Sequence, residues 1–391
     1  MSKRTRAAQV GLALLSMISV TVHAGSPGTW TKISNGAGSS TYDSALLRTP
    51  DGKVHAVWPT VINKKQAYGH TAVTANGTVG RPTTVLSGWG GVHSGPLLLP
   101  DGSGLRMIFS GLKSTSTSDP YSTGAMFTAT SKTGNSWALG TGALSQSGYA
   151  YASVGTGATL DLTGTPIVSW SFGIGSTMYW HAGIDSSIPA ASADHTFTLP
   201  GCCNQQSALA TDAVTGTVWL AWYSSASGSP NGYFARALLP SLGPRKKAPK
   251  SSASGSSIDP WQSVALSARK GADGAYLAYS NPGSTRLYLW KLGTTKVLTV
   301  PDSAGARYVV LTPGADGRLW MLWYADGTFH SVLTDEDVTT FGAAQTFPAP
   351  PNAVAVYHVA AEGSTGNLDV VVNIVTSDAD YGFWHTQAVA E

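Results

Sequence analysis

A short unit of alternating apolar and polar residues recurs along this chain. Its first copy spans residues 41–60, where a run of small and apolar residues and an alternating run that ends at Trp58 flank the pair Asp51-Gly52. β-Branched and aromatic residues that alternate with polar ones on both sides of an Asp-Gly pair are typical of a β-hairpin. The pattern therefore predicts two antiparallel strands joined at Gly52.

Six further copies of this hairpin follow, and each has a glycine at its turn. The seven turn glycines are Gly52, Gly102, Gly164, Gly216, Gly274, Gly317 and Gly366. They are spaced by about 50 residues, and a period of this size with several short strands per unit is typical of a β-propeller. The predicted fold class is all-β, a seven-bladed β-propeller of four-stranded blades, with six or eight blades as the alternatives if one weak unit is misread.

The two ends of the chain each supply part of a blade. Residues 28–35 (GTWTKISN) form a lone strand in this interpretation, and the last unit has only three strands, of which YGFWHTQAV is the third. We predict that the N-terminal strand joins the last blade. Such closure hides the sheet edges that an open ring would expose.

Residues 1–24 have the three parts of a secretory signal. Lys3, Arg4 and Arg6 precede an apolar run over 10–22, and Val22-His23-Ala24 stands before Gly25. The run is about half the length of a membrane span. We therefore predict a signal peptide over 1–24, one propeller domain over 25–391, and a secreted or extracytoplasmic protein without membrane attachment after cleavage.

The amino-acid composition limits the classes of molecule that this protein is expected to bind. Charged residues make up only 12% of the chain and the formal net charge is +3. No basic stripe with interleaved aromatic residues appears, so nucleic acid is not expected as a partner. A monomer is expected.

The candidate catalytic residues come from the starts of the innermost strands. Aligning these starts gives one equivalent position per blade, at Asp43, His93, Ala152, Gln206, Gln262, Tyr308 and Tyr357. Because the last and first blades adjoin, we predict a catalytic arc of Asp43, His93, Tyr308 and Tyr357. A carboxylate beside an imidazole can raise its basicity, and a tyrosine of lowered pKa can donate or accept a proton. The alternative is a ring of polar side chains that binds water in the channel. His358, the residue after Tyr357, is expected to point into the sheet packing.

Candidate substrate-binding residues lie in the same loops. They combine flat aromatic rings, on which a sugar can stack, with side-chain amides: Trp89, Tyr151, Asn204, Gln206, Trp261 and Gln262. This combination predicts a poly- or oligosaccharide ligand. Alternatively, the aromatic rings pack between blades.

Cys202 and Cys203 are adjacent and are the chain's two cysteines. In an exported protein such a pair either forms a vicinal disulfide or bridges two molecules. The vicinal disulfide is favoured, and the shared peptide bond would hold its Cα atoms about 3.8 Å apart. Adjacent cysteines fit a tetrahedral zinc ion poorly and no partner motif exists, so neither a metal site nor a cofactor is expected.

The segment TSKTGNSW, residues 130–137, resembles a degenerate Asp-box of the sialidase-like (BNR repeat) propellers. Thr130, Gly134, Ser136 and Trp137 match the pattern, whereas Lys132 stands where that family has aspartate. The resemblance implies a propeller fold, because the box is a structural turn away from the family's active site. The arginine motif of sialidases is absent, so their catalytic residues are not carried over.

Units such as YDSALLRTPDGKVHAVW are also similar to the repeats of seven-bladed polysaccharide lyases that act on acidic glycans. This resemblance implies proton abstraction beside a uronate carboxylate by His and Tyr, with His93, His70, Tyr151 and Tyr357 as the candidates.

Three functional classes remain. The favoured one is a secreted carbohydrate-active propeller, a glycoside hydrolase or a polysaccharide lyase, with its site on the face formed by the loops that lead into the innermost strands. The alternatives are a non-catalytic lectin-like propeller and a protein-binding scaffold.

Overall fold

In the computed structural model of this chain, the described residues are 27–34, 43–92, 95–112, 125–140, 156–171, 177–182, 195–198, 204–224, 232–251, 264–281 and 286–390. They form β-strands joined by turns, with no α-helix among them. Across these ranges, no helical segment has the length and apolar character needed to cross a membrane. The predicted signal peptide over 1–24 lies outside the described residues.

The strands form seven antiparallel sheets, which we number along the chain. After β1 (Thr31–Lys32), the first sheet contains β2 (Ala45–Arg48), β3 (Val54–Ile62), β4 (Lys65–Val73) and β5 (Thr83–Trp89). The second contains β6 (Gly91–Val92), β7 (Leu97–Asp101), β8 (Gly104–Leu112), β9 (Ala125–Ser131) and β10 (Ala138–Leu139). The third contains β11 (Gly157–Leu160), β12 (Pro166–Ser171), β13 (Thr177–Ala182) and β14 (His195–Thr198).

The fourth sheet contains β15 (Asn204–Thr211), β16 (Val218–Ser224), β17 (Gly232–Leu239) and β18 (Lys246–Lys247). The fifth contains β19 (Ala265–Ala268), β20 (Ala275–Ser280), β21 (Leu287–Lys291) and β22 (Val297–Val300). The sixth contains β23 (Arg307–Pro313), β24 (Leu319–Ala325), β25 (Thr328–Leu333) and β26 (Gln345–Pro348). The seventh contains β27 (Ala353–Glu362), β28 (Leu368–Thr376), β29 (Tyr381–Ala388) and β1.

The prediction of an all-β propeller with four-stranded blades is confirmed, but its count is corrected. Six sheets are four-stranded blades, not seven, because the second sheet has five strands. There the innermost position is divided between β6 and β7, which both pair with β8. Val92 pairs with Gly111 and Leu97 pairs with Ile108, so the register changes between the two short strands.

The ends of the chain meet in the seventh sheet, as predicted. Thr31 and Lys32 of β1 pair with His385 and Trp384 of β29, and the N–H of Ile33 donates to Phe383 O at 2.9 Å. The strand itself is shorter than the predicted span of 28–35. The N-terminal segment therefore supplies the outermost strand of the C-terminal sheet.

The seven predicted turn glycines all lie in the turn between an innermost strand and the strand that follows it, which in the second sheet is the turn between β7 and β8. Each has a positive φ, in the region that side chains with a Cβ seldom adopt. The repeat read from the sequence therefore marks the same turn in every sheet.

Neighbouring sheets pack face to face around the ring. Seven clusters of buried apolar side chains occur, one at each contact between neighbouring sheets. At the contact between the seventh and first sheets, Ile33, Val371 and Phe383 pack against Ala56 and Trp58. Closure of the ring is therefore stabilised by burial of apolar surface as well as by strand pairing.

The innermost strands run in one direction. Asp43, which precedes β2, approaches His358 of β27, and Arg48 at the end of β2 contacts Glu362 at the end of β27. We call the face at which the innermost strands begin the upper face, and the face that carries the turn glycines the lower face. Asp43, Gly95, Asn204, Arg307 and Ala353 mark the upper face.

Candidate functional site

Three innermost strands, β15, β23 and β27, carry a β-bulge near the upper face. The residues that fall out of the pairing include Gln206, Tyr308 and Tyr357, three positions that the sequence alignment of blades makes equivalent. A bulge bends its strand and re-aims a side chain, and bulges are frequent at barrel rims and next to active sites. The bulges therefore recur at the upper face, at positions where site residues are predicted.

Tyr308 has an uncommon backbone conformation. Its φ is 51°, in the left-handed region that a bulky side chain rarely adopts. Its ring lies 6.4 Å from that of Tyr324, centroid to centroid. Strained residues of this kind cluster at functional sites, where the surrounding structure holds them.

Tyr357 pairs with a second tyrosine. Its ring lies 5.7 Å from that of Tyr381 on β29. Burial, followed by a hydrogen bond with Tyr381, raises the pKa of the Tyr357 hydroxyl above its ordinary value. The expected role in proton transfer required a lowered pKa, and the shift has the opposite direction. Tyr357 is therefore protonated at neutral pH, and its hydroxyl is a weaker acid than that of a free tyrosine.

Asp43 lies where three sheets meet. Its Oδ1 accepts a hydrogen bond from the N–H of Ser44 at 2.7 Å and lies 3.6 Å from Nδ1 of His358 in the seventh sheet. On the other side it contacts the second sheet, because a Cβ placed on Gly95 would lie 2.5 Å from Cβ of Asp43. The Asp43 side chain is 21% exposed. It is a fixed carboxylate that solvent can reach.

His358 was expected to point into the sheet packing, and it is indeed 1% exposed. The residue pattern around His358 does not indicate its approach to Asp43. The bulge at Tyr357 changes which side chain of β27 faces which neighbour, and a pattern of alternating residues does not reveal a bulge.

Trp89 does not present a ring to a ligand, contrary to the sequence-based expectation. It ends β5, is 5% exposed, and packs edge-on against Phe109 and Phe127 at centroid distances of 5.1 and 5.0 Å. The second sheet covers it, so Trp89 belongs to the apolar contact between the first two sheets.

The structure describes two of the remaining predicted site residues. Asn204 and Gln206 lie in β15 at the upper face. Six predicted residues lie outside the described residues, so their roles stay predictions: His93, Tyr151, Trp261, Gln262, Cys202 and Cys203. Within the described ranges, no group of three or more His, Cys, Asp or Glu side chains is arranged to hold a metal ion.

The turn that resembles an Asp-box connects β9 to β10 in the second sheet. Oγ of Ser131 accepts the N–H of Gly134 at 2.8 Å, and Trp137 Nε1 donates to Gly134 O at 2.7 Å. Ser131 thus supplies a turn hydrogen bond although Lys132 occupies the aspartate position of that pattern.

Comparison with known proteins gives no family for this chain. No protein-family model matches it, and no curated protein sequence matches it. Solved structures do resemble it. An ulvan lyase of polysaccharide lyase family 25, bound to a unit of glucuronic acid and sulfated rhamnose, is 8% identical with a TM-score of 0.51, and the match covers 94% of this chain and 96% of that one.

Two further structures are similar to the same degree. An α-L-arabinofuranosidase from Fusarium graminearum, solved with an iminosugar inhibitor, is 10% identical with a TM-score of 0.51, covering 93% of this chain and 98% of that chain. A puromycin-hydrolysing peptidase from Mycobacterium tuberculosis is 11% identical with a TM-score of 0.51, covering 92% of this chain and 56% of that chain. At these identities the likeness shows the propeller fold alone.

Proposed function

We propose that this protein is a secreted carbohydrate-active propeller that cleaves glycans at its upper face, with Asp43 as the reacting carboxylate. The observation that carries the proposal is the placement of Asp43, which is partly exposed and held between the first, second and seventh sheets. The ulvan lyase and the arabinofuranosidase support it, because propellers of similar fold have names that describe glycan cleavage. Export rests on the predicted signal over 1–24.

The groups on the upper face suit acid–base chemistry on a sugar. A carboxylate can accept a proton, and a protonated tyrosine such as Tyr357 can donate one to a leaving oxygen. In a lyase, the base removes the proton beside a uronate carboxylate and the acid protonates the departing glycosidic oxygen. In a hydrolase, Asp43 works with a second carboxylic acid. The products distinguish the two reactions, because only the lyase leaves an unsaturated uronate.

The test is turnover by the purified protein on a panel of neutral and acidic polysaccharides. Reducing ends and the absorbance of unsaturated uronates are followed together. Asp43→Asn is expected to lower turnover by about 100-fold to 10,000-fold, as loss of a general acid–base group does. Asp326→Asn is the matched control, because Asp326 is an exposed carboxylate in the turn after β24 on the same face. It should retain full activity.

Glycan binding without turnover that persists in Asp43→Asn would contradict the enzymatic proposal. It would leave the lectin-like alternative.

A second prediction concerns Gly95. Alanine at this position is expected to displace the Asp43 side chain and lower turnover at least tenfold, because the added Cβ would meet Cβ of Asp43 at 2.5 Å. Gly342→Ala is the matched control, since its Cβ meets only Leu333 O, at 3.3 Å. Turnover by both variants is compared at matched folded concentrations. Unchanged turnover in Gly95→Ala would argue against Asp43 as the reacting group.

A further inference from the structure

His358 is a buried imidazole, and among the described residues its neighbour of opposite charge is Asp43. Its side chain is 2% exposed, and Nδ1 lies 3.6 Å from Oδ1 of Asp43. No described residue forms a hydrogen bond with Nε2, which is shielded from solvent. A buried histidine with this environment calls for an explanation beyond apolar packing.

The proton on the neutral ring is best placed on Nδ1. A buried N–H without an acceptor costs more than a buried lone pair on the same nitrogen, and Nε2 has no described acceptor. Nδ1 faces a carboxylate oxygen, which attracts a donor. The separation of 3.6 Å is longer than a hydrogen bond, so the contact is electrostatic in this state. Such contacts often tighten when a substrate binds.

His358 and Ser44 act on the same oxygen of Asp43. The N–H of Ser44 donates to Oδ1 at 2.7 Å, and Nδ1 of His358 approaches Oδ1 as well. The position of a Cβ on Gly95 would be 3.3 Å from Oδ2, so the other oxygen is on the side of the second sheet. The Ser44 N–H and the His358 imidazole therefore both lie on the Oδ1 side of the carboxylate.

We propose that His358 is the positioning residue of Asp43. Through Nδ1–H it fixes the rotation of the carboxylate and directs Oδ2 toward the second sheet. The bulge at Tyr357 allows this, because it shifts the register of β27 immediately before His358. The inference rests on the proposed glycan-cleaving function and adds a residue from the opposite end of the chain.

Two substitutions of His358 by amide side chains test whether it positions Asp43. The side-chain amide nitrogen of asparagine can take the position of Nδ1, whereas that of glutamine takes the position of Nε2. His358→Asn is expected to keep kcat within about threefold of the original, and His358→Gln is expected to lower kcat by about tenfold to a hundredfold with KM unchanged. A packing role alone would affect both variants alike. Equal kcat values in the two variants would overturn the inference.

A second measurement does not require turnover. The titration of Asp43 is followed by NMR on protein with ¹³C-carboxyl-labelled aspartate, and the signal is assigned by its loss in Asp43→Asn. His358→Gln should raise the pKa of Asp43 because the carboxylate loses a donor, and His358→Asn should leave it in place. If this shift appears while the unsubstituted protein cleaves no glycan, the pair is real and the proposed function is wrong. If glycan is cleaved and no shift appears, the function stands and the inference fails.

Discussion

Replacing Arg48 with methionine is expected to lower the free energy of unfolding by about 3–5 kcal/mol. Arg48 is 5% exposed and lies at the contact between the first and seventh sheets. Its Nε donates to Glu362 at 2.7 Å and one terminal nitrogen donates to Asp369 at 2.6 Å, while the other donates to Gly52 O at 2.8 Å. Methionine fills a similar volume and leaves two buried carboxylates without their cation.

The remaining partners cannot replace the arginine. Asp369 also interacts with His385 Nε2 at 2.8 Å and with Gln387 Nε2 at 3.3 Å. Glu362 keeps the N–H of Ser364 at 3.0 Å. These donors already occupy other lone pairs, and only His385, which faces Asp369, could carry a charge. The substitution therefore removes the one described cation beside Glu362.

Arg106→Met is the matched control. Arg106 donates to Asp101 at 2.8 Å, but the two side chains are 22% and 39% exposed. Solvent screens such a pair, and its loss should cost less than about 1 kcal/mol. Equilibrium unfolding in urea measures both variants. A loss below 1 kcal/mol in Arg48→Met would mean that water enters the seam and screens the carboxylates.

The second large effect is a loss of stability in mild acid. Between about pH 7.5 and about pH 5, the free energy of unfolding should fall by at least about 2 kcal/mol. His55 and His70 are 4% and 1% exposed, and Nδ1 of His55 lies 2.9 Å from Nε2 of His70. Burial, followed by the neighbouring His55, lowers the pKa of His70 to about 3. Burial likewise lowers the pKa of His55.

The direction of this pH dependence follows from the number of protons that the folded and unfolded states bind. Below its ordinary pKa of 6.5 a histidine takes up a proton in the unfolded chain, whereas His70 in the folded protein stays neutral until its pKa is reached. The unfolded state therefore gains stability as the pH falls from about 6.5 to about 3. Aspartates with lowered pKa, such as Asp335, start from 3.8 and contribute only at lower pH.

Urea unfolding at the two pH values tests this in a double variant. His55→Asn combined with His70→Asn removes both groups, so its stability should change less over this range than that of the original protein, whatever its value at neutral pH. His330→Asn is the comparison: burial also lowers the pKa of His330, but its side chain is only half-buried, so this variant should keep more of the pH dependence than the double variant does. Equal pH dependence in the double variant and the original would show that other groups cause the loss.

Several features of the fold were predictable because they depend on local pattern. The first and last of the seven turn glycines are Gly52 and Gly366. Both have a positive φ, which favours glycine, and the sequence around each shows the same alternation of apolar and polar residues. The lone N-terminal strand and the three-stranded last unit indicated how the ring closes. Closure needed no knowledge of side-chain contacts, only the count of strands at each end.

Other features depend on which residues of distant segments meet. The split of the second sheet into β6 and β7 follows from a change of register that alternation does not encode. Trp89 is covered because the second sheet packs over the end of β5. Its sequence neighbours suggested an exposed loop, and only the packing of another sheet made it a core side chain.

The sequence by itself determined the propeller repeat, its turns, the closing strand and Asp43 as a candidate acid–base group, because periodicity and turn chemistry are properties of neighbouring residues. The tertiary structure alone decided that Asp43 meets His358, 315 residues away, and that Arg48 is buried beside Asp369, 321 residues away. Ring closure brings the two ends of the chain together. Contacts across that seam are fixed by packing between sheets, and no local pattern specifies them.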